Sequence, residues 1–155
     1  MKFNKAIKNL FIVLFSTLLI SACSTAKKAN VDTANDVYTG TDTVEFLAKG
    51  VPDRIFFATN ASKLTTASRD TLRKQATWMR KNKDVTVTVE GHADERGTRE
   101  YNLALGERRA NAAKDYLMTY GVSGKRISVI SYGKERPVNP ASTPLAWSQN
   151  RRSVT

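Results

Sequence analysis

Val85, Val87 and Val89 alternate with Thr86, Thr88 and Glu90. A period-2 run of this kind sends one set of side chains to each side of a strand, so it requires a sheet with an apolar layer against one face. Directly after it, Gly91 and Gly97 bracket a polar loop. A helix is expected from about Tyr101 to Tyr120, stopped by Gly121, where a left-handed residue suits a helix end. This strand, loop and helix fix the centre of the fold, because the helix must supply apolar side chains to cover the valines.

The remaining elements fit around that unit. Arg54 to Ala58 is a short apolar strand, and Ala67 to Lys81 is a helix with Leu72, Ala76 and Met79 on one face. Ile127 to Tyr132 is a third strand. A loop rich in proline (Pro137, Pro140, Pro144) follows, and Arg151 to Thr155 is a fourth, short strand. The order β-α-β-α-β-β predicts an α/β (α+β) class, a single domain over 51–155 with its helices packed on a mixed four-stranded sheet. No internal repeat is present.

The N-terminus carries an address. Lys2, Lys5 and Lys8 precede a short apolar run from Leu10 to Ile20, which reads as a signal peptide over 1–22. Ile20-Ser21-Ala22-Cys23 resembles the bacterial lipobox, which implies cleavage before Cys23 and a covalent lipid on it. Cys23 is the only cysteine, so no intramolecular disulfide is possible. Several acyl chains make a stable anchor where one is marginal. Ser24, where inner-membrane lipoproteins often carry aspartate, implies sorting to the outer membrane, with the domain on its periplasmic face. Residues 23–50 are then the lipidated end and a polar, flexible tether.

The chain has 155 residues and a formal charge of +11, and losing the three leader lysines leaves +8. Such an excess serves solubility or matches an anionic partner: nucleic acid, anionic lipid or an acidic polymer. For a lipid-anchored protein outside the cytoplasm, the carboxylate-bearing polymer at hand is the cell wall. Nucleic acid is not expected.

On the second helix, Leu103, Gly106, Ala110, Ala113 and Leu117 form one stripe, expected to face the sheet, and the small Gly106 and Ala110 permit close approach. Arg108 then points to water. Arg109 lies on the flank of the stripe, in one row with Asn102 and Leu105. Asp94 sits in the preceding loop. An arginine fork suits a carboxylate and an aspartate accepts from an ammonium, so the pair can bracket a zwitterionic ligand such as one end of diaminopimelate. The alternative is a salt bridge between Asp94 and Arg109 that staples loop to helix.

"VEGHADERGTREYNLALGERRANA" and "ISVISYGKERP", with "NRRSV" after it, resemble the OmpA-like C-terminal domain family, in particular its lipid-anchored, peptidoglycan-associated members. The likeness spans about residues 54–155 and the lipobox. It implies an OmpA-like peptidoglycan-binding domain that ties the outer membrane non-covalently to the wall. In the family, an aspartate and an arginine at the positions of Asp94 and Arg109 hold diaminopimelate, and Asn102 and Leu105 fall on further positions lining that site. The resemblance also implies partnership with TolB and other Tol proteins in the Tol–Pal system of envelope integrity and division. One departure is Ala58, where the family often has an acidic residue, so a carboxylate contact from the first loop is not expected; backbone groups of Ala58 to Asn60 remain available.

Two rival readings are weighed against this. A peptidoglycan hydrolase would draw on His92, Asp94 and Glu95. No Gly-x-Ser-x-Gly pattern is present, however, and one histidine supplies too few ligands for zinc, so no catalytic residue, metal or cofactor is expected beyond the lipid. His92 is read as a strand-end histidine bonded within the loop. A periplasmic protein-interaction module without wall binding is the other alternative.

Overall fold

The computed structural model describes residues 31–32 and 36–155. The signal peptide expected over 1–22, and Cys23, lie outside the described residues. In chain order, β1 (Val31–Asp32) pairs antiparallel with β2 (Val37–Tyr38), and β3 (Phe46–Ala48) pairs antiparallel with β4 (Val51–Pro52). Next come β5 (Arg54–Phe56), α1 (Thr66–Lys81), β6 (Val87–His92), α2 (Arg99–Thr119), β7 (Ile127–Gly133), α3 (Pro144–Asn150) and β8 (Arg152–Val154).

The four long-range strands form one mixed sheet in the order β5-β8-β6-β7. The C-terminal β8 inserts between β5 and β6 and is antiparallel to both, while β6 and β7 run parallel. A parallel pair needs a crossover, and α2 is that connection. Val87 and Val89 face the core with Ile55, Phe57 and Ile127, against Leu72, Ala76 and Met79 of α1 and Ala110, Ala113 and Leu117 of α2. The expected α+β class and mixed four-stranded sheet are what the chain forms.

Threonines begin all three helices among the described residues. Thr65, Thr98 and Thr143 each accept, through Oγ1, the backbone N–H three residues on, at 3.1, 3.2 and 3.2 Å. This cap starts α2 at Arg99, two residues earlier than periodicity predicts. The strand expected over 85–90 begins at Val87 because the carbonyl of Val85 is taken by Arg126 Nε at 2.8 Å. The helix α3 was expected as loop; Thr143 caps it and Pro144 fills its first turn, where a missing N–H costs nothing.

The tether expected over 23–50 needs correction for its C-terminal part. Around Val37 and Tyr38 the chain is packed on the domain. Val37 and Tyr38 are buried against Phe56, with the Tyr38 and Phe56 rings 4.7 Å apart in an edge-on contact. Neighbouring strand residues face opposite sides, so Phe57 fills the main core while Phe56 is left for a second layer. The segment around Val37 and Tyr38 supplies that layer.

The stripe on α2 is also wider than predicted. Gly106, Ala110, Ala113 and Leu117 are buried as expected, but so are Asn102, Leu105 and Arg109, whereas Leu103 is only half-buried. The flank row is covered by the loops after β5 and β6. Arg108 is exposed.

Candidate functional site

The site lies where β5, β6 and β8 meet α2. Arg109 is 0% exposed. Its guanidinium donates from Nε to the carbonyl of Ala61 (2.8 Å), from Nη1 to that of His92 (2.8 Å) and from Nη2 to that of Ala58 (3.0 Å), and it lies over the ring of Phe57. Every hydrogen-bond partner is a neutral backbone oxygen. Arg109 therefore fixes the loop after β5 and the end of β6 around itself. Burial, then the neighbouring Arg151, lowers its pKa to about 10, so it stays charged at neutral pH. Of its five N–H groups, three are used, leaving one on each Nη.

Asp94, 7% exposed, is the second residue of the loop between β6 and α2. It does not pair with Arg109, so the staple weighed as an alternative is not formed. Its Oδ1 accepts the backbone N–H and Nε of Arg96, both at 3.1 Å, and its Oδ2 accepts Arg96 Nη2 at 2.7 Å and Arg151 Nη1 at 3.2 Å. Burial pushes this carboxyl up, but the hydrogen bonds from Arg96 and Arg151 outweigh it and hold it below the usual carboxylate range.

Asn102 and Leu105 are buried in the same row of α2 as Arg109. Asn102 Nδ2 donates to the carbonyl of Arg96 at 2.8 Å and so holds the loop in shape; Leu105 is apolar wall. His92 ends β6 with its side chain buried, and it does not bond within the following loop as expected. Its Nε2 is 3.4 Å from Glu90 Oε2 on its own strand, and its Nδ1 has no partner. Burial first, then Arg152, Arg136 and Arg54, depress its pKa to about 3, so it is neutral and the Glu90 contact is not an ion pair.

Sequence reasoning missed three contributors. Arg151 is almost wholly buried and bridges Asp94 to Asp36, whose carboxylate lies 2.9 Å from Nη2. Arg96 covers Asp94, and Asp36 sits in what read as tether. The doubled arginine at 151 and 152, where a short terminal strand was expected, was the available signal: adjacent residues face opposite sides, so both cannot be solvated on one face. Together the site holds three guanidiniums, Arg96, Arg109 and Arg151, and two carboxylates, Asp36 and Asp94. It is one negative charge short of balance.

Among the described residues no group of three or more His, Cys, Asp or Glu is arranged to hold a metal, and no helix is long and apolar enough to cross a membrane.

This architecture is that of a known family. A family model described as OmpA family matches residues 56–151. The chain belongs to the OmpA family. Its relatives there include the peptidoglycan-associated lipoprotein of Mesorhizobium japonicum, 45% identical over 150 residues that cover 93% of this chain and 88% of that one. The crystal structure of the peptidoglycan-associated lipoprotein from Burkholderia pseudomallei matches with a TM-score of 0.64 at 32% identity, covering 66% of this chain and 86% of that one. The C-terminal domain of Helicobacter pylori MotB shares the fold, with a TM-score of 0.61 at 23% identity over 65% of this chain and 80% of its own.

Proposed function

We propose that this chain is an outer-membrane lipoprotein that binds peptidoglycan non-covalently through the diaminopimelate of the stem peptide. It tethers the outer membrane to the wall from the periplasmic face, anchored by lipid on Cys23. Arg109 takes the carboxylate of the diaminopimelate end and Asp94 its ammonium, while Asn102 and Leu105 shape the wall of the site. The observation that carries this reading is the state of Arg109. A fully buried guanidinium bonded only to neutral carbonyls has no counter-ion of its own, and a ligand carboxylate supplies the missing charge. The names of the relatives, peptidoglycan-associated lipoproteins, support the same partner.

On this reading the protein works with TolB and other Tol proteins in envelope integrity and division, and it is not an enzyme. The buried His92 supports the last point: a neutral imidazole whose pKa lies near 3 is a poor general base at neutral pH.

The direct test is co-sedimentation of the full chain with purified sacculi, with free diaminopimelate as competitor. Sedimentation that the competitor abolishes is expected; sedimentation indifferent to it contradicts the assignment. The anchor is tested by Cys23→Ser, which should leave the membrane fraction and lose the mass of the lipid. Release of soluble muropeptides from sacculi, lost on changing Asp94, would refute the non-enzymatic reading.

A further inference from the structure

We infer that Arg96 occupies the ammonium position on Asp94 in the free protein, so that ligand binding is an exchange of one cation for another. This rests on the proposed reading of the site and adds how its specificity arises. Arg96 reaches Asp94 with Nε and Nη2, one to each carboxylate oxygen, and donates with Nη2 to Thr59 Oγ1 at 3.2 Å. Its guanidinium lies 4.3 Å from the ring centre of Trp147. Unlike Arg109 and Arg151, this side chain is 41% exposed, so it alone of the three stands between Asp94 and solvent.

The loop is built to survive its departure. Lys134 Nζ holds the carbonyls of Glu95 (3.2 Å) and Gly97 (2.7 Å), and Asn102 holds that of Arg96. Glu95 is pinned through its carboxylate to Trp147 Nε1 at 2.8 Å and Ser142 Oγ at 3.0 Å. None of these bonds involves the Arg96 side chain. When it swings away, Asp94 keeps the backbone N–H of Arg96 and Nη1 of Arg151. The vacated corner then offers a carboxylate oxygen to a compact ammonium.

The exchange makes the site selective. A ligand with carboxylates alone cannot dislodge Arg96, because nothing replaces the cation on Asp94. A zwitterionic centre supplies both the carboxylate that Arg109 lacks and the cation that frees Arg96.

The test is calorimetric titration of the full chain and of Arg96→Ala and Arg96→Gln with meso-diaminopimelate and, separately, with pimelate, the same diacid without its ammonium groups. Removing a competing, partly exposed ion pair should tighten diaminopimelate binding by about three- to tenfold. Pimelate should gain nothing, since Asp94 is left bare and repels it. Weaker or unchanged diaminopimelate binding in both variants, or an equal gain for pimelate, overturns the exchange. If diaminopimelate binds the unaltered chain and Arg109→Ala abolishes that binding, only the exchange has failed. If no variant binds it and Arg109→Ala still sediments with sacculi, the site reading and the exchange fall together.

Discussion

Gly91 of β6 and Gly106 of α2 meet backbone to backbone: a methyl added to Gly106 would lie 2.8 Å from the carbonyl oxygen of Gly91, and one added to Gly91 would overlap the carbonyl of Gly106. The contact sets how closely α2 lies on the sheet, and so where Arg109 stands relative to the carbonyl of His92. Because the obstacle is backbone, no side-chain rotation relieves it. Gly91→Ala should destabilise the fold by at least about 1–3 kcal/mol, as overpacking does, and lower wall binding as α2 lifts. A melting temperature equal to that of the unaltered chain would show that the crossing is looser than the structure has it.

The docking of Tyr38 makes a two-sided prediction. Its ring is buried on Phe56, but its hydroxyl is buried without a hydrogen-bond partner. Tyr38→Phe should be neutral or stabilising by up to about 1–3 kcal/mol, since it removes an unsatisfied polar group. Tyr38→Ala should cost about 3–5 kcal/mol through the cavity left over Phe56. Chemical denaturation of both variants measures this, and equal stability of the two would mean that the segment is a tether after all.

His92 gives the fold a pH dependence of known sign. Its folded pKa of about 3 lies below the ordinary imidazole value of 6.5. Between these values the unfolded chain binds a proton that the folded chain refuses, so stability is full above about pH 6.5 and falls as the pH falls. The slope should be roughly 1.4 kcal/mol per pH unit between about pH 6 and 4.5. Asp94, whose pKa is lowered from 3.8, adds its own loss only below that range. In His92→Phe the slope from pH 6.5 to 4.5 should be nearly flat, and unchanged steepness would place the titrating group elsewhere.

The parts of the fold legible in the sequence are those set by local pattern. The alternating valines announce β6, and the small Gly106 and Ala110 announce the close crossing of α2. Asp94 and Arg109 are legible as neighbours because loop and helix follow directly on one strand. What escaped depends on long-range packing. Helical phase alone put Arg109 on a flank, yet the Ala58–Ala61 loop buries it completely by lending it carbonyls. Arg151 and Asp36 are far apart in sequence and meet only because β8 inserts beside β5. The prolines near α3 masked a Thr-Pro start that was readable as a cap.

Wall binding of Arg109→Ala against Arg108→Ala tests whether the buried guanidinium holds the ligand carboxylate. The two arginines are adjacent, but one is fully buried and the other exposed. Arg109→Ala strips three carbonyls of their donor and should itself lower the melting temperature. Sedimentation with sacculi is therefore measured well below that temperature, with the fold verified by circular dichroism. Folded Arg109→Ala should lose affinity by roughly 30-fold or more, the cost of leaving a ligand carboxylate unpaired, while Arg108→Ala should change only a small, salt-sensitive part. Folded Arg109→Ala that binds sacculi like the unaltered chain, or Arg108→Ala that is equally damaging, would contradict that role of Arg109.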